Sequence, residues 1–325
     1  MLDNMKPLGT ESFEGKDVLV TGGAGFLGSW ICETLLTMGA NVEIIDNFSS
    51  GQRANLPRNA RVDALDVSKI FPKGKYDYII HGASRASPDE YQAHPVDTVR
   101  TNAIGMLNVL ESARKYDSTV LLMSTSEVYG NARVIPTPET YWGEVNPIGI
   151  RSCYDEGKRY AEAAAMAYVR QYGLGVVIIR IFNTYGPRIR ADGYYARALP
   201  KFIASALAGE PITVYGDGTQ TRSFTYVSDT VRGILLALAK PDAKNKCINI
   251  GNNVETSIIE LARLVIRMTD SASQIVFKDL PADDPQRRCP DIRLAKSLLN
   301  WEPEVTLEEG LAHTIQWFKQ HQPRV

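Results

Sequence analysis

Cysteine is scarce and scattered: Cys32, Cys153, Cys247 and Cys289 are the only four in 325 residues, and no two form a Cys-x-x-Cys pair. That excludes a disulfide-stapled scaffold and a thiolate zinc site. With four equally dispersed histidines, it predicts no structural metal and a reducing, cytoplasmic setting. Net charge is nearly absent as well, with 36 Lys+Arg against 37 Asp+Glu, so no global field draws the chain to nucleic acid or to an anionic membrane. Any basic site must be local. The apolar runs at 176–179 and 234–239 are too short to cross a bilayer, and residues 1–16 are polar and acidic without a long apolar core. Repeats, low-complexity segments and long linkers are also missing. What remains is a globular composition at a length where one core stops growing, which predicts two lobes sharing a cleft.

Against that background one turn is dense in glycine. The apolar residues 18–20 run straight into Thr21-Gly-Gly-Ala-Gly-Phe-Leu-Gly28, and Trp30, Ile31, Leu35 and Leu36 follow at helical spacing. Gly22, Gly25 and Gly28 let the turn close, a pyrophosphate approach the helix N-terminus and the helix pack on the strand. A tight structural turn gives the same spacing. The next predicted strand, 42–45, ends at Asp46, about the ~20-residue distance expected of an acid that accepts ribose hydroxyls. A carboxylate there repels a 2′-phosphate and favours NAD over NADP, although Asp46-Asn47 also reads as a loop start.

Predicted strands at 61–66, 78–81, 119–124, 176–181 and 247–250 alternate with helices at 96–115, 154–171 and 231–239. This is the rhythm of an α/β fold with a Rossmann-type doubly wound parallel sheet. Helices at 194–209, 257–268, 295–299 and 307–318, with a strand at 212–215, predict a smaller C-terminal α/β substrate-binding lobe. The expected boundaries are an N-terminal extension over 1–15, a dinucleotide domain over 16–188 to which 222–250 returns, and a substrate lobe mainly over 189–325.

Arg151-Ser-Cys-Tyr-Asp-Glu-Gly-Lys158 has a chemical use. Tyr154 and Lys158 share one face of a helix, a turn apart, so phenol and ammonium can meet. Free tyrosine ionises near pH ~10, and a fixed cation favours the phenolate, which can then take a proton from a sugar hydroxyl. The spacing alone also arises by chance in amphipathic helices. Ser124-Thr-Ser-Glu-Val-Tyr-Gly130 follows an apolar strand, at the carboxyl end where ligands bind in open parallel sheets. Thr125 can hydrogen-bond the same hydroxyl, and Glu127 is the nearest acid or base. A capped loop would use the same residues.

Asp66 ends another predicted strand, near an adenine edge or simply exposed, and His81-Gly-Ala-Ser84 offers backbone to phosphates or ribose. Asn183 can donate to a substrate hydroxyl. Arg222 among aromatics and the Arg287-Arg288 pair can hold a diphosphate, with surface salt bridges as the ordinary alternative. The alanine-rich stretch 161–171 suits close helix packing, in the core or at a homodimer interface.

Taken together these residues resemble an extended short-chain dehydrogenase/reductase acting on a nucleotide sugar, most like the UDP-glucuronate decarboxylase (UDP-xylose synthase) branch. The likeness covers about 16–318. Its most specific parts are Tyr141-Trp-Gly-Glu-Val-Asn-Pro-Ile-Gly149 running into 151–159, Asp283-Asp-Pro-Gln-Arg-Arg288 and Pro290-Asp-Ile292. The resemblance implies that NAD takes hydride from C4 of the glucuronosyl ring while Tyr154, with Lys158 and Thr125, removes the hydroxyl proton. Carbon dioxide then leaves the 4-keto acid, and re-reduction gives UDP-xylose. It places Ser126, Glu127 and Arg151 around C5 and the carboxylate, and Asn183, Arg188, Arg222 and Arg288 on the UDP-sugar. Cofactor contacts are expected from Gly22, Gly25, Phe26, Leu27, Gly28, Asp46, Asn47, Asp66, Val67, Tyr154 and Lys158. Related dehydratases commonly carry an acid where this chain has Ser126, which cannot protonate a leaving hydroxyl at neutral pH. The chain departs from the branch over 189–201, at Arg85 and at Cys289. The alternatives are a 4-epimerase of UDP-glucuronate or UDP-glucose, and a redox-sensing scaffold that binds NAD without turnover.

Overall fold

The computed structural model describes residues 13–191, 198–280 and 285–321. Strand β1 (Asp17–Thr21) leads through the glycine turn into helix α1 (Phe26–Thr37), then β2 (Asn41–Ile45), β3 (Arg61–Asp63) and β4 (Tyr78–His81). Two short helices, α2 (Pro88–Ala93) and α3 (Pro95–Arg100), precede a π-turn at Thr101–Gly105 and α4 (Met106–Tyr116). After β5 (Thr119–Thr125), α5 (Ser152–Tyr172) and β6 (Val176–Ile181), the chain makes β7 (Thr184–Tyr185), α6 (Ala198–Ala208), β8 (Ile212–Tyr215), β9 (Thr221–Ser223), β10 (Thr225–Tyr226) and α7 (Val227–Ala239). It closes with β11 (Cys247–Ile250), β12 (Glu255–Ser257), α8 (Ile258–Thr269), β13 (Ile275–Lys278), β14 (Arg287–Arg288), α9 (Arg293–Leu299) and α10 (Leu307–His321).

Seven of these strands form one parallel sheet in the order β11-β6-β5-β4-β1-β2-β3. Its central strands read as continuous apolar runs, because helices cover both faces. Val18, Val20, Ile80, Leu121, Val177 and Ile179 face one core, with α1 and α7. Leu19, Ile79, Val120, Leu122, Val176 and Ile178 face the other, with α4 and α5. All strands point the same way, so Thr21, His81, Thr125 and Ile181 lie at one edge of the sheet.

Several local expectations change. Strand β3 stops at Asp63 rather than 66, because Asp66 turns its carboxylate onto Ser68 N and Oγ at 2.9 and 2.7 Å, a local turn that competes with the ladder. The single helix expected over 96–115 is broken by the π-turn, where Gly105 lets the helix lie against Val67. Of the helix expected at 194–209, its first residues, 194–197, lie outside the described residues. Its described part is Ala198–Ala208, and Pro200 lies within it. In the stretch assigned to an N-terminal extension, Phe13 is fully buried and meets Tyr78 edge-on at 5.7 Å.

Short ladders in the C-terminal half decide where the arginines go. Strand β9 pairs with β12 on one side and with β14 on the other, and its register sets Arg222 opposite Arg288. The tail is tied back to the large sheet's side. Trp301 is fully buried and donates to Asp229 O at 2.9 Å, while Asp229 Oδ2 accepts from Glu304 N and Val305 N.

Candidate active site

Helix α5 begins at Ser152 and presents Tyr154 and Lys158 to the sheet edge, both buried. Lys158 Nζ donates to Met123 O at 2.9 Å, fixing the ammonium beneath the end of β5, two residues before Thr125. Burial pulls the lysine down to about 8, against the opposing field of Glu162. The ring of Tyr154 is stacked on Tyr91 of α2, with centroids 5.2 Å apart and planes 6° apart. Thr125 caps the next turn by accepting from Glu127 N at 3.2 Å. Tyr154, Lys158, Thr125, Ser126 and Glu127 all line one cavity of about 480 Å³.

Glu127 is the acid of that cavity. It forms ion pairs with Arg151 and with Arg288, whose Nη2 lies 2.8 Å from Glu127 Oε2. Burial would raise the Glu127 carboxyl, but Arg288 and then Arg151 outweigh it and hold the group well below the usual carboxylate range. Asp155 responds in the opposite sense. Burial, then the Glu127 carboxylate, push it up, and its Oδ2 stands 3.9 Å from Arg151 Nε. Among the described residues, Arg151, Lys158, Lys201, Arg222 and Arg288 line the cavity against Glu127 as its single acid. A strongly cationic pocket therefore sits inside a chain of net charge -1. Asn183 and Ser84 also face it, each with a buried side-chain atom, Nδ2 and Oγ, that has no protein partner among the described residues. A polyhydroxy anion would satisfy such a lining.

A second cavity, about 280 Å³, opens at the glycine turn and shares Leu27, Gly82, Ser84 and Met123 with the first. Gly22 has φ +78, and a Cβ there would stand 2.7 Å from Ala83 N. A Cβ on Gly28 would fall on the Gly22 carbonyl. At Gly22 and Gly28 the turn is thus closed to any side chain, and its outer face lines the second cavity. Asp46 takes Ala24 N at 3.0 Å on one oxygen and Phe48 N at 2.8 Å on the other, and each oxygen keeps a lone pair for a hydroxyl. Gly25, Phe26, Asn47, Asp66 and Val67 line the same cavity. Glycine cradle, acid and elongated space fit a dinucleotide. His81 has no charge to offer and lines neither cavity: it is buried beside Thr21 Oγ1, 2.8 Å away, and burial and the Lys158 cation pull it down to about 3.

One expected substrate contact sits elsewhere. Arg188 lines the cavity at the glycine turn, not the one around Tyr154, because its guanidinium lies over the Trp30 ring at 4.7 Å and pairs with Glu33 at 2.5 Å. Arg287 also turns away, pairing with Glu255 on the exposed side. Asp283 and Asp284 lie outside the described residues. Arg85, where the resemblance leads one to expect another residue, pairs with Glu90 at 2.6 Å, and both line the second cavity.

Sequence reasoning missed two residues. Tyr91 had no signal beyond an aromatic in a short segment after Pro88. Asn102, in the π-turn, is buried against Gly157, where a Cβ would stand 3.1 Å from Asn102 Cβ, and neither of its amide atoms has a protein partner among the described residues. A helical pattern interrupted by Gly105 was its only trace.

Residues 18–251 match the NAD dependent epimerase/dehydratase family. The chain is 47% identical over 308 residues to the UDP-glucuronic acid decarboxylase 1 of Xenopus tropicalis, spanning 94% of this chain and 72% of that one. It is likewise 47% identical over 306 residues to the Arabidopsis thaliana enzyme of the same name, spanning 93% and 69%. Among solved structures, UDP-glucose 4-epimerase of Thermotoga maritima with UDP-glucose superposes with a TM-score of 0.87 at 35% identity, over 93% of this chain and 98% of that one. The dTDP-glucose 4,6-dehydratase of Streptomyces venezuelae with NAD bound gives 0.85 at 28% identity, over 94% and 97%.

Proposed function

Because the chain belongs to the NAD dependent epimerase/dehydratase family, we propose that its cationic cavity works on a nucleotide-linked hexuronate, and that the protein is a UDP-glucuronate decarboxylase that forms UDP-xylose. The relatives at 47% identity support this reading. The observation that carries it is the cluster at the end of β5: Glu127 between Arg151 and Arg288, one residue after Ser126 and beside Tyr154 and Lys158. An anionic sugar fits this cluster, and Ser126 supplies no acid for dehydration.

NAD, when bound, supplies the hydride acceptor for C4 and returns the hydride at the end, so none is consumed. Gly22, Gly25, Phe26, Leu27, Gly28, Asp46, Asn47, Asp66 and Val67 would hold it, with Tyr154 and Lys158 at its reactive end. Tyr154 takes the C4 hydroxyl proton, with Lys158 stabilising the phenolate and Thr125 orienting the hydroxyl. The resulting C4 carbonyl is β to the carboxylate carbon. The C5–C6 bond then breaks, carbon dioxide leaves, and the electron pair passes into a C4–C5 enolate. Arg151, Ser126 and Glu127 position the carboxylate and C5, and C5 accepts a proton before C4 is reduced and its oxygen is reprotonated by Tyr154. Asn183, Arg222 and Arg288 hold the UDP-sugar. Residues 16–188 with 222–250 serve the dinucleotide, and 189–325 mainly the nucleotide sugar. Four free cysteines suit a reducing, cytoplasmic setting. The apolar residues Val96, Val99, Ile104 and Tyr160, exposed on the adjoining α3, π-turn and α5, suit a homodimer.

Incubation with UDP-glucuronate, followed by NMR, tests the assignment: UDP-xylose and carbon dioxide are expected. UDP-galacturonate without carbon dioxide would replace it with the 4-epimerase reading, which the Thermotoga maritima fold match favours.

A further inference from the structure

Lys158 has a second neighbour on its own helix that the reaction does not touch. Glu162 stands one turn beyond it, so Tyr154, Lys158 and Glu162 form a ladder along one face of α5. The carboxylate of Glu162 is fixed from two strands. Ser124 Oγ of β5 donates to Oε1 at 2.5 Å, and Arg180 of β6 grips both oxygens, at 3.0 and 2.7 Å. Arg180 in turn donates to Tyr129 Oη at 2.9 Å and Glu139 O at 3.0 Å, and Tyr129 donates to Asn249 of β11 at 2.8 Å. Consecutive residues of β5 are thereby stapled to α5: Met123 by its carbonyl to Lys158, Ser124 by its hydroxyl to Glu162. The next residue is Thr125.

We propose that Glu162 is a positioning residue for the Tyr154–Lys158 pair: anchored by Arg180 and Ser124, its carboxylate keeps the buried ammonium of Lys158 charged and seated under the end of β5. The inference rests on the reading of that pair as the catalytic base. The charged and titratable groups around the ladder agree with it. His81 on β4 is neutral, Arg180 on β6 is spent on Glu162, Cys247 on β11 is pushed up by burial, and Tyr129 and Glu139 lie beyond Arg180. The Glu162 carboxylate is thus the anion whose field supports Lys158 against burial. Removing it must lower the pH at which Lys158 loses its proton.

The test uses the full chain with NAD bound. Carbon-13 lysine labelling, with the Lys158 signal assigned by its loss in Lys158→Met, follows the titration of the ammonium directly. In Glu162→Gln the Lys158 midpoint is expected to fall, and the high-pH limb of kcat to fall with it. Turnover at pH 8.5 should drop about tenfold against the parent while turnover at pH 6.5 stays within about twofold. Glu162→Asp, which restores the charge, should recover most of both. Ser124→Ala, which deletes one anchor and leaves the charge, should melt lower but titrate as the parent does, and so guards against a purely structural effect. Coincident Lys158 midpoints in the parent and in a folded Glu162→Gln overturn the inference, even where both make product. A parent that makes no UDP-xylose would instead overturn the functional reading, and the lysine titration would still judge Glu162.

Discussion

Tyr154→Phe removes one oxygen from a ring that stays stacked on Tyr91, so packing and cofactor affinity should persist. Turnover should fall by about 10²–10⁴-fold, measured as UDP-xylose formed per enzyme at saturating substrate. Lys158 sets a pH limit with a defined sign: its ammonium is present below about 8 and lost above it, so kcat should decline as pH rises through that value. A profile flat to pH 10 would remove the lysine from the chemistry. Arg288→Ala takes the bidentate partner from half-buried Glu127 and should raise KM for UDP-glucuronate at least about tenfold, and Arg288→Lys should not restore it. Tyr154 and Lys158 were legible because an i, i+4 pair lies within one helix. The convergence of Arg222 and Arg288 was legible only as a guess about a shared ligand, because the register of two very short strands creates it. The placement of Arg188 was not legible for a related reason: nothing local in Gly186-Pro-Arg188 reveals that Trp30 and Glu33, more than 150 positions away, will claim the guanidinium.

Among the elements, the glycine turn gives the sharpest expectation. A methyl on Gly28 would occupy the place of the Gly22 carbonyl, so Gly28→Ala must open the turn. NAD affinity by calorimetry should weaken at least about tenfold if close backbone approach holds the pyrophosphate there. The α2–α5 contact can be tested through Tyr91, which is 1% exposed. Tyr91→Ala should cost about 3–5 kcal/mol of stability. Tyr91→Phe deletes a hydroxyl that has no partner among the described residues and should melt within about 1 kcal/mol of the parent. Strands β4, β8 and β11 fell on their expected bounds, since short apolar runs between turn residues leave little choice. Strands β7, β9, β10, β12 and β14 have two or three residues each, too few to show a period of two, and so passed unseen. The π-turn hid inside an otherwise helical pattern, because one extra residue per turn barely disturbs apolar spacing.

At the scale of the molecule, the large sheet is not complete until residues 247–250 pair with β6. A fragment ending at 188 would leave the Val176–Ile181 edge bare, with its buried Val-Val-Ile-Ile run facing water. It should aggregate on expression, scored by sedimentation against the full chain. If α3 and α5 seat a second copy, Val99→Glu should shift the light-scattering mass from two chains to one without altering the melting curve of the remaining species. A doubly wound parallel sheet with a ligand crevice at its carboxyl ends was readable from the alternation of strands and helices, whereas the order of the strands within it was not. The return of the tail to Asp229 was not, because Trp301 is one aromatic in a short loop until the fold buries it. That return has a practical bearing on anyone wishing to change which sugar the protein accepts. Because the polypeptide leaves the large sheet after β6, comes back to finish it with β11, departs again and is finally pinned beneath α7, a chimera with a relative cannot be spliced at a single point. Each seam would have to be matched at once, which leaves point substitution around the cavity as the tractable route to new specificity.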